Sequence, residues 1–94
     1  MTRTFAFTIS VLVLGTALPA LAEPTCTDQP KSAWMDEQAF KEKAMKEQGI
    51  TKISTFQVTE GNCYEIYGYK GDKKVEIYFD PVTGAVVESE EDED

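Results

Sequence analysis

The stretch YEIYGYKGDKKVEIYF, residues 64–79, decides the fold. It reads as two strands around Gly71 and Asp72, a pair suited to a two-residue hairpin loop. Such a loop sets Tyr69 against Lys74, Gly68 against Val75, Ile66 against Ile77 and Tyr64 against Phe79. Opposed residues share a face, so every apolar side chain except three tyrosines falls on one side. Turn chemistry and hydrophobic alternation therefore give the same register.

Working outward, Glu60-Gly61-Asn62 fits a three-residue loop that opposes Val58 to Tyr64 and Phe56 to Ile66 on the same inner face. A two-residue loop would turn Phe56 and Val58 outward and is rejected. Ile53 falls on the wrong side in this register, which calls for a bulge or a strand end there. On the other flank, Asp80-Pro81-Val82-Thr83-Gly84 is a reversal. Pro81 presets φ, Asp80 can accept from the backbone two residues on, and Gly84 tolerates positive φ. No nucleophile, base or ligand sits nearby, so this loop reads as structure. It returns Val86 and Val87 to the sheet as a short last strand, and the loop count leaves open which of them faces inward.

Before the strands the period changes to that of a helix. Asp36 is a good N-cap, and Met35 can pack on Phe40 as a hydrophobic staple. Ala39, Phe40 and Ala44 make the inner stripe with Met45 beside it. Glu37 with Lys41 and Glu42 with Lys46 make outer pairs, and Gly49 ends the helix. The expected architecture is α+β: one helix packed on an antiparallel three- to four-stranded meander, stapled by a disulfide. The expected core is Phe40, Ala44, Phe56, Val58, Tyr64, Ile66, Val75, Ile77 and Phe79.

The staple follows from the first 22 residues and from size. Arg3, an apolar run from Phe5 to Leu18, Pro19 and the small-x-small site Ala20-Leu21-Ala22 are the layout of a secretory signal peptide. The run is short of the roughly 20 residues of a membrane span. Glu23-Pro24-Thr25 before Cys26 lacks the small apolar residues of a lipoprotein signal. Of the 94 residues, removal of 22 would leave 72, and a core that small rarely supplies more than about 3–5 kcal/mol. Cys26 and Cys63 are the two cysteines of a chain bound for an oxidising compartment, so a bond between them is the expectation. There is no Cys-x-x-Cys and no histidine, which argues against a redox pair or a metal site.

Eight lysines against 17 acids leave about −9 after removal of Arg3. That charge repels phosphate backbones and anionic lipid, so nucleic acid is not an expected partner, nor is a membrane after cleavage. Acid–base chemistry from Asp72, Asp80 and the glutamates is outweighed by their reading as solubilising surface. No phosphate-binding loop or EF-hand spacing is present. No catalytic residue, metal site or cofactor is expected.

The chain resembles a PepSY domain over residues 26–88. A helix ending in Gly49, then Cys63-Tyr64-Glu65-Ile66-Tyr67-Gly68, a Gly-Asp turn, and Val75-Glu76-Ile77-Tyr78-Phe79-Asp80-Pro81-Val82-Thr83-Gly84 carry the resemblance. It is most similar to the small secreted form found alone behind a signal peptide. The family takes its name from peptidase propeptides, so the resemblance implies a binding module and brings no catalytic residues. The two cysteines fit the secreted subgroup, whereas the acidic end lies outside the family pattern.

The expected organisation is a signal peptide over 1–22, a PepSY-like domain over 23–88 and a disordered acidic tail over 89–94. The candidate partner-binding face is the outer side of the sheet, with Tyr67, Tyr69 and Tyr78 among Glu65, Glu76 and Lys74. The expected function is a periplasmic or secreted, non-catalytic protein-binding module, a peptidase inhibitor or modulator, whose protein partner is a peptidase or a basic protein. The alternative is an acidic cation-buffering or structural accessory protein acting through its tail.

Overall fold

The computed structural model describes residues 23–92; the expected signal peptide lies outside them. A single 3-10 turn, Lys31–Ala33, leads into helix α1, Glu37–Gln48. Four strands follow: β1 Lys52–Val58, β2 Tyr64–Lys70, β3 Lys73–Phe79 and β4 Val86–Glu91. They form one antiparallel meander in the order β1-β2-β3-β4.

The helix is defined at both ends by its sequence. Asp36 Oδ2 accepts from the Ala39 amide at 3.0 Å, satisfying one of the orphan donors of the first turn. Gly49 adopts φ 71°, and both its amide and that of Ile50 bond the Met45 carbonyl. This arrangement carries an apolar residue back onto the helix end. That residue, Ile50, is buried, although the sequence-derived core omits it. Phe40 and Ala44 are the buried helix residues, with Met45 packed beside them, while Ala39 is exposed rather than on the inner stripe. Lys41 pairs with Glu37 at 2.9 Å as expected. The second pair is Lys43 with Glu47 instead of Glu42 with Lys46.

The β2–β3 hairpin has the register the Gly71-Asp72 turn requires, with Ile66 opposite Ile77 and Tyr64 opposite Phe79. Gly71 takes φ 64° and Asp72 does not share the positive region, the pattern of a type II′ turn. Between β1 and β2, the Asn62 amide closes a turn onto the Thr59 carbonyl and Asn62 takes φ 62°. A turn followed by a left-handed residue is the usual build of a three-residue hairpin loop. It places Phe56 opposite Ile66 and Val58 opposite Tyr64.

One face of the sheet meets the helix. Phe40 is its anchor, with ring centroids 4.9 Å from Phe79, 4.7 Å from Tyr64 and 6.1 Å from Phe56. Phe40, Ala44, Ile50, Tyr64, Ile66, Val75, Ile77 and Phe79 are buried together, and Phe56 and Ile53 pack partly buried against them. Val58 is the exception: it faces the expected side but is 43% exposed, because it lies at the end of an edge strand. Ile53 reaches the core through a bulge. It opposes Gly68 while Thr55 opposes Tyr67, leaving Ser54 as the extra residue.

The disulfide Cys26–Cys63 ties the irregular lead-in to the β1–β2 loop. The Cys26 amide donates to the Gly61 carbonyl at 2.9 Å, and Asn62 Nδ2 donates to the Thr27 carbonyl at 3.2 Å. Further along, the Met35 amide donates to the Pro81 carbonyl, and the Tyr64 hydroxyl donates to the Met35 carbonyl at 2.6 Å. The loop after β3 is structural, as its residues suggest. Asp80 Oδ1 accepts from the amides of Val82 and Thr83, and Gly84 takes φ 80°.

The last strand is longer than expected. Residues 89–91, assigned from sequence to a disordered tail, pair with β3 as far as Glu91 opposite Val75. Backbone pairing to β3 and ion pairs of Glu91 with Lys70 and Lys73 outweigh the acidic composition. A second bulge settles the two valines: Val86 opposes Phe79, Glu88 opposes Tyr78, and Val87 is the extra residue, with both valines exposed. Residues 93 and 94 lie outside the described part.

Candidate functional site

Among the described residues, the helix covers one side of the meander and leaves the other open. Registers fix what that open side presents. One row runs Gln57, Glu65, Tyr78 and Glu88 across the four strands; the next runs Thr55, Tyr67, Glu76 and Glu90. A third row opposes Lys52 to Tyr69 and Tyr69 to Lys74, with Lys52 Nζ 5.8 Å from the Tyr69 ring centre. The open face is thus acidic over two rows and basic at its far end.

The structure brings together Glu65, Glu76, Tyr67 and Tyr78 on neighbouring strands, and sets Tyr69 one row away. Of the three tyrosines, Tyr67 is the prominent one at 40% exposure, while Tyr69 and Tyr78 are half-buried. Tyr67 stands between two hollows. One of about 340 Å³ is lined by Ser54, Thr55, Tyr69 and Lys74 among others. The other, about 220 Å³, is lined by Glu76, Glu90, Glu91, Asp92 and Lys74.

Glu65 departs from the sequence reading, which placed it among exposed residues of this face. It is 1% exposed on a side of the sheet that no helix among the described residues covers. The cause is its neighbours. Gln57 Nε2 donates to Glu65 Oε1 at 2.8 Å, and Tyr78 opposite it, with Tyr67 and Glu76 alongside, closes over it. The Tyr78 hydroxyl donates to Glu76 Oε2 at 3.0 Å. Gln57, Glu88 and Glu90 belong to the site but were not singled out from sequence. Gln57 was reachable, since opposing Val58 to Tyr64 also opposes Gln57 to Glu65. The β4 residues were not, because the bulge at Val87 sets their phase.

The electrostatics follow from crowding acids under aromatic cover. Burial pushes the Glu65 carboxyl above the usual carboxylate range, and its hydrogen bond to Glu76 adds to the rise. The same bond holds Glu76 below that range. Burial first, then hydrogen bonding to Glu76 and the nearby negative charge, push the Tyr67 hydroxyl up to about 12. Tyr78 moves upward for the same reasons. Tyr67 and Tyr78 therefore keep their hydroxyl protons across the physiological pH range.

Chemically, the arrangement suits recognition. Both cysteines are in the disulfide and the chain has no histidine, so the pairing of a nucleophile with an imidazole base is unavailable. Among the described residues, no group of three or more acidic, cysteine or histidine side chains is placed to hold a metal ion. Among the same residues, no helix is long and apolar enough to cross a membrane.

The family of peptidase propeptide and YPEB domains matches residues 4–90. The match takes in the helix, the disulfide, the hairpin and most of β4, a wider span than the resemblance over 26–88. Domains of this family are generally non-catalytic modules of regulatory or propeptide-like character. No curated protein and no solved structure matches the chain significantly. A helix on a four-stranded meander, stapled by Cys26–Cys63 and matched over nearly its whole length, belongs to the PepSY_2 family.

Proposed function

We propose that this protein is a periplasmic or secreted, non-catalytic binding module that modulates a peptidase. Its partner meets the open sheet face at Tyr67, Tyr69 and Tyr78, and Glu65 and Glu76 set the sign of that surface. The observation that carries this reading is the uncovered face itself, where an exposed Tyr67 rises between two hollows and has acids along one side. Tyrosine supplies contact area at low entropic cost, and aromatic residues in such positions are frequent hot spots. Family membership supports the peptidase, and the disulfide supports an oxidising compartment.

The cation-buffering alternative has less to stand on. Residues 88–91 lie in a paired strand, and Glu91 is already engaged by Lys70 at 2.9 Å.

Affinity capture on the folded domain, followed by hydrolysis assays on any captured peptidase, tests the proposal. Tyr67→Ala with Tyr78→Ala should keep the fold and weaken capture by at least about 2 kcal/mol. A folded double variant that holds the same partner with unchanged affinity overturns the assignment of this face.

A further inference from the structure

Two carboxyl groups on this face, Glu65 and Glu76, are neighbours with no cation paired to either among the described residues. Glu65 opposes Tyr78 and Glu76 opposes Tyr67, so the two acids sit diagonally across β2 and β3. Glu65 Oε1 has its donor in Gln57. Glu65 Oε2 is buried and finds no donor among the described residues. The groups facing the pair are Gln57 from β1, Tyr67 from β2, Tyr78 from β3, and Glu88 and Glu90 from β4. Lys74 lies one row away, opposite Tyr69, and the ion pairs among the described residues leave both acids out. Two ionised carboxylates in contact repel strongly, whereas a proton on one turns repulsion into a hydrogen bond. That proton would also give Glu65 Oε2 the bond it lacks.

The hollow of about 220 Å³ beside Tyr67 opens onto this pair at Glu76, which lines it with Glu90, Glu91 and Asp92 against the single cation Lys74. Its acids attract a cation, and the Tyr67 ring offers such a group a favourable face. Resting on the reading of this face as the partner site, we propose that Glu65 and Glu76 hold one proton between them in the free protein, and that a lysine or arginine side chain of a basic partner entering this hollow takes its place. The proton leaves to solvent as the partner's single positive charge arrives, so the net charge of the pocket is unchanged. A carboxyl raised at Glu65 by burial and one lowered at Glu76 agree in direction with such a shared proton. Binding of the basic partner is then tighter at higher pH, by up to roughly tenfold per pH unit for one proton released.

The test has two arms. In the first, carboxyl carbon shifts of the free full-length protein are followed by NMR through the pH range. The expected result is two separated steps for Glu65 and Glu76; joint ionisation of both in the ordinary carboxylate range overturns the shared proton, whatever the partner. In the second, an oligolysine peptide is titrated calorimetrically in phosphate and in Tris at one pH. The expected heats differ by the ionisation of the buffers, corresponding to about one proton released, and Glu65→Gln, an isostere of the protonated acid, removes the difference. Equal heats in the two buffers for the native protein overturn the exchange. Failure of oligolysine to bind overturns it too and counts against a basic partner on this face, while the first arm still judges the proton.

Discussion

Gly68 lies beneath Ile50 at the point where β1 bulges. A methyl group added at Gly68 would collide with the Lys52 carbonyl oxygen and stand 3.4 Å from Ile50 Cγ2. The glycine therefore lets the backbone of β1 and the residue after the helix close over the sheet. Gly68→Ala should destabilise the domain by about 1–3 kcal/mol through overpacking. The midpoint of urea unfolding measures this, and an unchanged midpoint would mean that β1 moves aside without cost.

Position in the sheet, rather than hydrophobicity, separates the next pair of variants. Ile66 and Ile77 oppose each other at 0% exposure under Phe40, so Ile66→Ala or Ile77→Ala should cost about 2–5 kcal/mol. Val58 shares their face but is 43% exposed at the edge of the sheet. Val58→Ala should stay within about 0.5 kcal/mol. Chemical denaturation of the three variants ranks them; equal losses would contradict the burial described.

The disulfide closes a loop with a sequence separation of 37. In the chain-entropy description a loop of that length contributes about 4 kcal/mol, comparable to the whole core of so small a domain. Reduction should therefore lower the melting temperature by many degrees, read by circular dichroism with and without reductant. A melting temperature unchanged on reduction would assign the fold to its core alone.

What was legible in the sequence is what short-range chemistry fixes. Gly71-Asp72 and Glu60-Gly61-Asn62 set loop lengths, and loop lengths set which residues oppose. From those turns the registers of β1 with β2 and of β2 with β3 follow, and with them Tyr67, Tyr69 and Tyr78 on the open side. Ile50 was within reach, since an apolar residue after a glycine-capped helix commonly folds back onto it. At Ile53 the misplaced phase signals a bulge or a strand end without choosing between them, whereas Val87 gives no signal, because a bulge is chosen by the packing of neighbouring strands and leaves no distinctive residue behind. Through Val87 that uncertainty extended to Glu88 and Glu90, and so to half the acids of the candidate site. The burial of Glu65 was hidden for another reason. An acid on the solvent side of a sheet reads as exposed, and only the side chains of Gln57, Tyr67 and Tyr78 closing around it make it otherwise.

That burial gives the domain a dependence on pH with a definite sign. Glu65 keeps its proton to higher pH in the folded than in the unfolded chain, so above about pH 4.3 folding takes up a proton that the unfolded glutamate has released. Its contribution to stability therefore falls as pH rises from there through its elevated value. Glu76 has the opposite sign: its carboxyl is lowered, and its contribution is present above the ordinary range and lost as pH falls through its depressed value. The two together favour the fold most near the ordinary carboxylate range, with a decline on the alkaline side belonging to Glu65. Glu65→Gln retains an acceptor for Gln57 and can donate to Glu76, yet has no charge to form. It should be more stable than the native protein at neutral and higher pH by about 1 kcal/mol, the worth of an ordinary hydrogen bond kept without an ionisation beside it. Urea midpoints between roughly pH 4.5 and 8.5, a window that brackets the ordinary carboxylate value and neutrality, should fall for the native chain and stay level for the variant. Parallel curves for the two proteins would show that Glu65 ionises freely, and that its close contact with Glu76 has no bearing on folding.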